Sequence, residues 1–155
     1  LSVTSPGFFI FQTKNTTPAA FANNASNITY APGKAQNKIN AVLKVPTNWI
    51  IDGVEVYEKI NESKSKKRFG SDVDAGYVMQ TVKLGHSVYR NVDVEATKKI
   101  EGNADKLVYN YQYGTDPSGI DAEASMKKGA KIVYMDTNNS TSDFHERKQF
   151  SLRDK

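Results

Sequence analysis

The segment of residues 136–143 contains side chains that could bind a hard cation. It reads Asp-Thr-Asn-Asn-Ser-Thr-Ser-Asp, so carboxylate and amide oxygens recur at close spacing. Calcium takes about six to eight oxygen ligands, and Asp136, Asn138 and Asp143 are the candidates. The same oxygens can instead accept hydrogen bonds from nearby backbone N–H groups in an Asx-rich turn. If the chain binds a metal, this segment predicts calcium; we expect no other cofactor.

A second cluster of possible metal ligands contains Asp143, His145 and Glu146. On a strand, Asp143 and His145 would share one face and Glu146 would take the other, which leaves zinc without a third ligand. The other histidine, His86, precedes Ser87 in Gly-His-Ser-Val, which lacks the Gly-x-Ser-x-Gly elbow of Ser hydrolases. No P-loop, Rossmann fingerprint or His-Glu-x-x-His sequence occurs. We therefore predict no catalytic residues and no enzyme.

Aromatic side chains are the remaining candidates for recognition. The chain has eight tyrosines and one tryptophan. Exposed rings on a β-surface can contact a sugar or a peptide, and Trp49, Tyr77 and Tyr89 are the candidate ligand-binding residues. The structural alternative for each ring is packing in the core or in a cross-strand pair.

Composition indicates one mainly β domain, residues 1–155, that works outside the cytoplasm. The apolar fraction is only 38%, beside many Asn, Ser, Thr and Tyr residues. The absence of cysteine excludes disulfides, Cys-ligated zinc and thiol catalysis. No apolar run approaches the roughly 20 residues of a membrane-spanning helix. Basic residues 64–68 lie in a polar stretch, so we expect a solvated loop there and no nucleic-acid binding.

Turn residues and apolar periodicity divide the chain into short elements. Residues 8–11 predict a buried strand, and residues 13–38 a long polar loop. The other predicted elements are strands at 39–45, 48–57, 106–113 and 131–135, a hairpin of 76–84 with 87–94, and one short helix at 120–128 that Asp121 caps and Gly129 ends.

Two Asp and Gly pairs are expected to shape the backbone. Asp52 and Gly53 lie inside one strand-like segment, where they predict a bulge in a continuous strand. Asp74 and Gly76 suit a turn that enters a strand, because Gly tolerates positive φ and an Asp side chain can accept from nearby N–H groups.

Three further residues have predicted structural roles. Gly85 lies in the turn of the predicted hairpin, and Ser87 begins its second arm. Phe144 ends the polar turn region and is expected to insert into the core.

Four segments together resemble the C-terminal half of an uncharacterised family of Bacteroidetes surface lipoproteins. They are residues 45–56, 73–77, 85–90 and 136–144, and the last is the most specific. That family is similar to lamin-tail domains, so the resemblance implies an immunoglobulin-like β-sandwich. Residues 95–131 look like an insertion that carries the one short helix. The family's N-terminal strands are missing, so we expect a preceding segment or another chain to complete the sandwich.

The resemblance implies a non-catalytic binding module at the cell surface or outer membrane. Its members are typically exported, lipid-anchored and encoded near outer-membrane receptors, so a surface protein or glycan is the expected partner. Membrane attachment would come only from a lipid on sequence before Leu1. A carbohydrate-binding domain is the alternative and would need coplanar exposed aromatic rings. A hydrolase is the second alternative and would need a pocket with convergent carboxylates, or a histidine beside a nucleophile.

Overall fold

The computed structural model describes residues 6–81, 83–109 and 116–148. This part of the chain forms three small sheets and a few short helices, so the predicted mainly β class is confirmed. The strands are β1 (Gly7–Phe11), β2 (Ile28–Tyr30), β3 (Ala41–Leu43), β4 (Ile50–Glu58), β5 (Val78–Gln80), β6 (Ser87–Arg90) and β7 (Phe144–Arg147). The α-helices are α1 (Pro18–Asn23), α2 (Val94–Lys99), α3 (Ala122–Lys127) and α4 (Ser140–Asp143).

The chain divides into two compact units, one of residues 9–53 and one of residues 1–8 with 54–155. Strands β1, β4 and β5 form a three-stranded sheet in the order β1-β4-β5. Strands β2 and β3 form a two-stranded antiparallel sheet, and β6 and β7 form another. The immunoglobulin-like arrangement of a sandwich stays a prediction.

The unit of residues 9–53 buries little apolar surface. Phe21 on α1 is its one buried hydrophobic residue, and its ring lies 6.5 Å from Phe11 and 4.9 Å from Trp49, centroid to centroid. The strand predicted at residues 8–11 is present as part of β1, but the expectation that it is buried is wrong. All of its side chains are exposed, because the described neighbours of β1 do not cover them.

Residues 13–38 are not the uninterrupted loop that their composition predicted. They contain α1 and β2. Helix α1 begins where the Thr17 hydroxyl accepts a hydrogen bond from Ala20 N–H, and Pro18 occupies the first turn, where its missing N–H costs nothing. Capping signals of this kind are short and local, and they were hidden here by the polar composition around them.

The larger unit contains a continuous hydrophobic core. Its buried residues are Val92, Leu107, Ile120, Ala122 and Ala130, with Val94 and Ile132 packed against them. Most of this core comes from residues 95–131, the segment that the family resemblance identified as an insertion. In this structure that segment is where much of the larger unit's apolar burial occurs.

The predicted hairpin of residues 76–84 and 87–94 is wrong. Strand β5 pairs in parallel with β4, and β6 pairs antiparallel with β7, so the two arms belong to different sheets. Gly85 does lie in a turn, with φ of +73°, which favours glycine. After this turn the chain enters β6, which pairs with β7. The prediction failed because the alternating pattern of a strand does not indicate which strand it will pair with.

Helix α3 matches the predicted helix at residues 120–128. The Asp121 carboxylate caps it by accepting from Ala124 N–H at 2.9 Å, and Gly129 follows its end with φ of +83°. The expectation of a single helix is wrong, since α1, α2 and α4 are present as well.

The remaining strand predictions have mixed outcomes. Strand β4 runs unbroken through Asp52 and Gly53, as predicted, and β3 lies within residues 39–45. Residues 131–135 form no strand, and Tyr134 makes a single bridge to Val92. Tyr109 makes a similar bridge to Ile120, and residues 110–113 of the predicted strand lie outside the described residues.

Candidate binding site

Two of the three predicted ligand-binding rings are occupied by aromatic packing. Trp49 is half-buried against Phe21. Tyr77 stacks on the buried ring of Tyr57, with centroids 4.1 Å apart and planes 9° apart, and its hydroxyl donates to Glu62. The Trp49 ring meets Phe21 at a tilt, and the Tyr77 ring stacks face to face on Tyr57. Neither pair is a flat, side-by-side platform of exposed rings.

Tyr89, the third ring, lines a cavity of about 360 Å³. Strand β6 supplies one wall, helix α3 supplies a second, and β7 supplies Arg147. The lining residues are Val88, Tyr89, Arg90, Ala122, Glu123, Met126, Tyr134 and Arg147. Aromatic, aliphatic and charged groups therefore converge on one concave site, as in many small-ligand sites.

Arg147 is the most buried charged group of this cavity, with 2% of the residue exposed. Its two terminal nitrogens lie 3.5 Å from Asp116 Oδ2 and 3.5 Å from Glu123 Oε1. The guanidinium also lies 3.5 Å from the centroid of the Tyr89 ring, in cation–π geometry. Two carboxylates and an aromatic face thus compensate a cation that would be costly to bury alone.

His145 links this charge cluster to the rest of the sheet. Arg147 Nε can only donate, so His145 Nε2 accepts its hydrogen bond at 2.9 Å. The proton is then on Nδ1, which donates to Asn91 Oδ1 at 2.6 Å. Burial lowers the pKa of His145, nearby Arg147 lowers it further, and Asp116 opposes the shift. The imidazole is therefore held neutral, with both ring nitrogens engaged.

Glu146 points to the other face of β7 and pairs with His86. His86 Nδ1 lies 2.8 Å from Glu146 Oε1, and the other carboxylate oxygen accepts from the Thr81 hydroxyl. Burial raises the pKa of Glu146, but hydrogen bonds from the backbone N–H of Thr81, from His86 and from the Thr81 hydroxyl outweigh it, so the pKa is lowered. The predicted separation of His145 and Glu146 onto opposite faces agrees with these contacts.

Two of the three predicted calcium ligands, Asp143 and Asn138, accept hydrogen bonds from protein groups. Asp143 is buried, and its oxygens accept from Thr137 N–H and the Thr137 hydroxyl, each at 2.8 Å. Asn138 has φ of +54°, and its carbonyl accepts from Ala75 N–H, while Asp136 is exposed. Within the described part of the chain, no group of three His, Cys, Asp or Glu residues could hold a metal ion. The contacts of Asp143 are those of the Asx-turn alternative; calcium stays a prediction.

Asp74 and Gly76, singled out as turn residues, lie against the start of α4. Asp74 Oδ1 accepts from Gly76 N–H and Ser140 N–H, each at 2.9 Å, and Oδ2 accepts from the Ser140 hydroxyl and Glu55 N–H. A Cβ on Gly76 would overlap Asn139 Oδ1 and lie 2.6 Å from the backbone nitrogen of Thr141. Position 76 requires glycine because any side chain would collide with these atoms. The φ of Gly76 is not positive, so backbone conformation is not the reason.

The other predicted structural residues have more local roles. Asp52 Oδ1 accepts from the N–H of Gly53 at 2.7 Å. Ser87 begins β6 opposite Arg147 in the antiparallel register. Phe144 is half-buried beneath Arg90, whose guanidinium lies 4.7 Å from its ring centroid.

Sequence reasoning missed the charged residues of the cavity. His145 and Arg147 lie two apart on a strand, and this spacing alone could have placed them on one face. Nothing in the sequence indicated that Asp116 and Glu123 would meet Arg147, because those contacts span long stretches of chain. Lys67, assigned to a solvated loop, instead forms an ion pair with the fully buried Glu55.

Comparisons with known proteins show the family of the chain. No helix within the described residues is long and apolar enough to span a membrane. No curated protein and no solved structure is significantly similar to this chain. A family model matches residues 1–106, which include the resembling segments 45–56, 73–77 and 85–90 but not residues 136–144. The chain belongs to the family described as "Protein of unknown function (DUF4876)".

Proposed function

We propose that this chain is a non-catalytic binding module, and that the cavity beside Tyr89 is its binding site. The supporting observation is that the charged side chains of the cavity are already fixed by partners. Arg147 is held by two carboxylates, and His145 is neutral with both nitrogens bonded. Such a site is pre-organised for binding, and the histidine behind it is engaged at both ring nitrogens, so it is not a ready general base. Binding is therefore favoured over the hydrolase alternative.

The ligand we propose is an exposed group of a protein or a glycan. A sugar is specifically favoured because the cavity combines ring faces, which contact sugar C–H groups, with the partly exposed charged groups of Arg90 and Glu123, which can bond hydroxyls. The cavity of about 360 Å³ is near the lower end of the usual range for ligand sites, so one residue of a longer chain is the expected occupant.

We also propose that the module is displayed outside the cytoplasm, at the cell surface or outer membrane. The resemblance to Bacteroidetes surface lipoproteins supports a lipid anchor on preceding sequence, a lamin-tail-like sandwich and an outer-membrane receptor as associate. Fractionation of native cells, with intact-mass measurement of the protein, tests this location. A lipid-modified chain in the outer membrane would support it, and an unmodified chain in the cytoplasm would contradict it.

Substitution of Tyr134 tests the cavity. Tyr134 lines the cavity and is 38% exposed, whereas Tyr30 lies in the other unit and is 37% exposed. After ligands are identified on a glycan array, we expect Tyr134→Ala to weaken binding about tenfold, measured by titration calorimetry.

Tyr30→Ala is the matched control, since it removes an equally exposed ring outside the cavity. It should bind the same glycan normally. Equal affinity of wild type and Tyr134→Ala would contradict the assignment of the cavity. If the chain binds peptides but no glycan, the proposal of a binding module would stand and the carbohydrate alternative would be contradicted.

A further inference from the structure

Residues 9–53 have an exposed apolar surface that the cavity does not explain. Most of the exposed large hydrophobic side chains of the described chain lie in this unit, while Phe21 is its one buried hydrophobic residue. Ile39 is 93% exposed, Ile10 61% and Val42 47%. Exposed apolar side chains in this number are unusual for one small unit, and exposed apolar surface often marks an interaction site.

Hydrophobic side chains are exposed on both faces of the strands in this unit. Ile28 and Tyr30 point to one face of the β2–β3 sheet together with Leu43, the register partner of Ile28, while Val42 points to the other. On β1, Phe9 and Ile10 likewise point to opposite faces, and both are exposed. A bilayer surface can cover one face of a sheet, whereas a polypeptide can pack against both.

Charge in this unit is strongly one-sided. Residues 9–53 contain four lysines, at positions 14, 34, 38 and 44, and a single carboxylate, Asp52. Lys34 and Lys38 are exposed in the connection between β2 and β3, and Lys44 is exposed at the opposite end of this sheet, where its N–H bonds to Asn27. Like charges across an interface are costly, so a second copy of this surface is a poor partner and an acidic one is favoured.

We propose that residues 9–53 dock an extended segment of a partner protein that is apolar along its length and acidic at its edges. Within the described chain, the β2–β3 sheet consists of two strands, and so short a sheet is marginal without further packing. A strand added by the partner would hydrogen-bond to the edge of the β2–β3 sheet and pack its apolar side chains against those of the sheet. The carboxylates of the partner would then face the lysines. This surface is independent of the proposed cavity site.

Two designed peptides test the chemistry of this surface on the purified full chain. They share a central run of valines, which is flanked at both ends by glutamates in one peptide and by lysines in the second. Binding is measured by fluorescence anisotropy of the labelled peptide and by emission of Trp49, the single tryptophan, which lies in this unit. We expect the glutamate peptide to bind, with an affinity that falls as salt rises, and the lysine peptide not to bind.

Charge reversal locates the contact. Lys34→Glu with Lys38→Glu should weaken the glutamate peptide about tenfold or more. The matched control, Lys98→Glu with Lys99→Glu in α2, makes the same change in the other unit and should leave its affinity unchanged. Tyr134→Ala should also leave it unchanged, so that failure of the cavity assignment and failure of this proposal are separable.

Three results would overturn the proposal. Equal binding of both peptides would mean that charge does not select the partner, and binding of neither would remove the docking site. Binding to phosphatidylglycerol vesicles that the lysine reversals abolish, without binding of the glutamate peptide, would identify the surface as a lipid contact instead.

Discussion

His145 and Arg147 point to the same face of β7 and depend on each other. The Arg147 hydrogen bond requires an unprotonated His145 Nε2, and the carboxylates around Arg147 require the guanidinium. Removing one partner of a buried ion pair typically costs about 3–5 kcal/mol, because the remaining charge stays buried without compensation. These contacts therefore fix the position of Arg147 in the wall of the cavity.

Protonation of His145 should destabilise the protein. Burial lowers its pKa in the folded state, whereas the unfolded chain has an ordinary value of about 6.5. Above that value both states are neutral and the group has no effect. As pH falls below about 6.5, the unfolded state takes up a proton that the folded state does not, so the free energy of unfolding should fall by at most about 1.4 kcal/mol per pH unit.

Urea unfolding of wild type and His145→Gln between pH 7.5 and 5 measures this effect. Glutamine can still accept from Arg147 and donate to Asn91, but it cannot titrate. The variant should lose less stability than wild type over this range, which lies above the lowered pKa of Glu146. Parallel curves for the two proteins would show that His145 does not cause the pH dependence.

Single residues were predictable where their role is local. Asp121 as a cap, and the Asx-type contacts near Asp143, follow from side-chain groups that reach backbone atoms a few positions away. Asp74 was expected to bond nearby N–H groups and does so at Gly76, but its bonds to Ser140 join parts of the chain 66 residues apart. Nothing local in the sequence specifies such a contact.

Helix α3 is the element that carries one wall of the cavity. Ala122, Glu123 and Met126 all lie on it, and Asp121 caps its first turn. Loss of an N-cap carboxylate typically costs about 1 kcal/mol. We expect Asp121→Ala to lower the free energy of unfolding by about that amount in urea, and to weaken ligand binding through loss of order in the wall.

Asp105→Ala is the control for the cap. Asp105 is an exposed acidic residue in the three-residue 3₁₀ helix Ala104–Lys106, which has no side-chain capping bond. Its substitution should change the free energy of unfolding by less than about 0.5 kcal/mol. Equal losses in the two variants would show that charge near a helix start, and not the cap geometry, sets the effect.

Elements were predicted well where one stretch of sequence contains the whole signal. Residues 120–129 contain the cap, the helical residues and the terminating glycine of α3, whereas β5 and β6 contain only alternation. Alternation says that a strand exists, but its partner is set by distant residues, here β4 for one and β7 for the other. The predicted hairpin failed for this reason.

At the scale of the whole molecule, burial is uneven between the two units. The larger unit has a buried core of Val92, Leu107, Ile120, Ala122 and Ala130, whereas residues 9–53 bury Phe21 alone among their hydrophobic residues. Apolar burial is the main favourable term in folding, so a unit with little of it should open at a lower free-energy cost.

Hydrogen exchange measured by mass spectrometry should reveal this difference. We expect amides of β2 and β3 to exchange at least about tenfold faster than those of β6 and β7, because local opening of the hairpin exposes little new apolar surface. The glutamate peptide should slow exchange in β2 and β3 and leave β6 and β7 unchanged, since an added strand would both bond to the sheet edge and bury its side chains. Similar protection in the two sheets of the free chain would mean that residues 9–53 are stabilised by contacts other than hydrophobic burial.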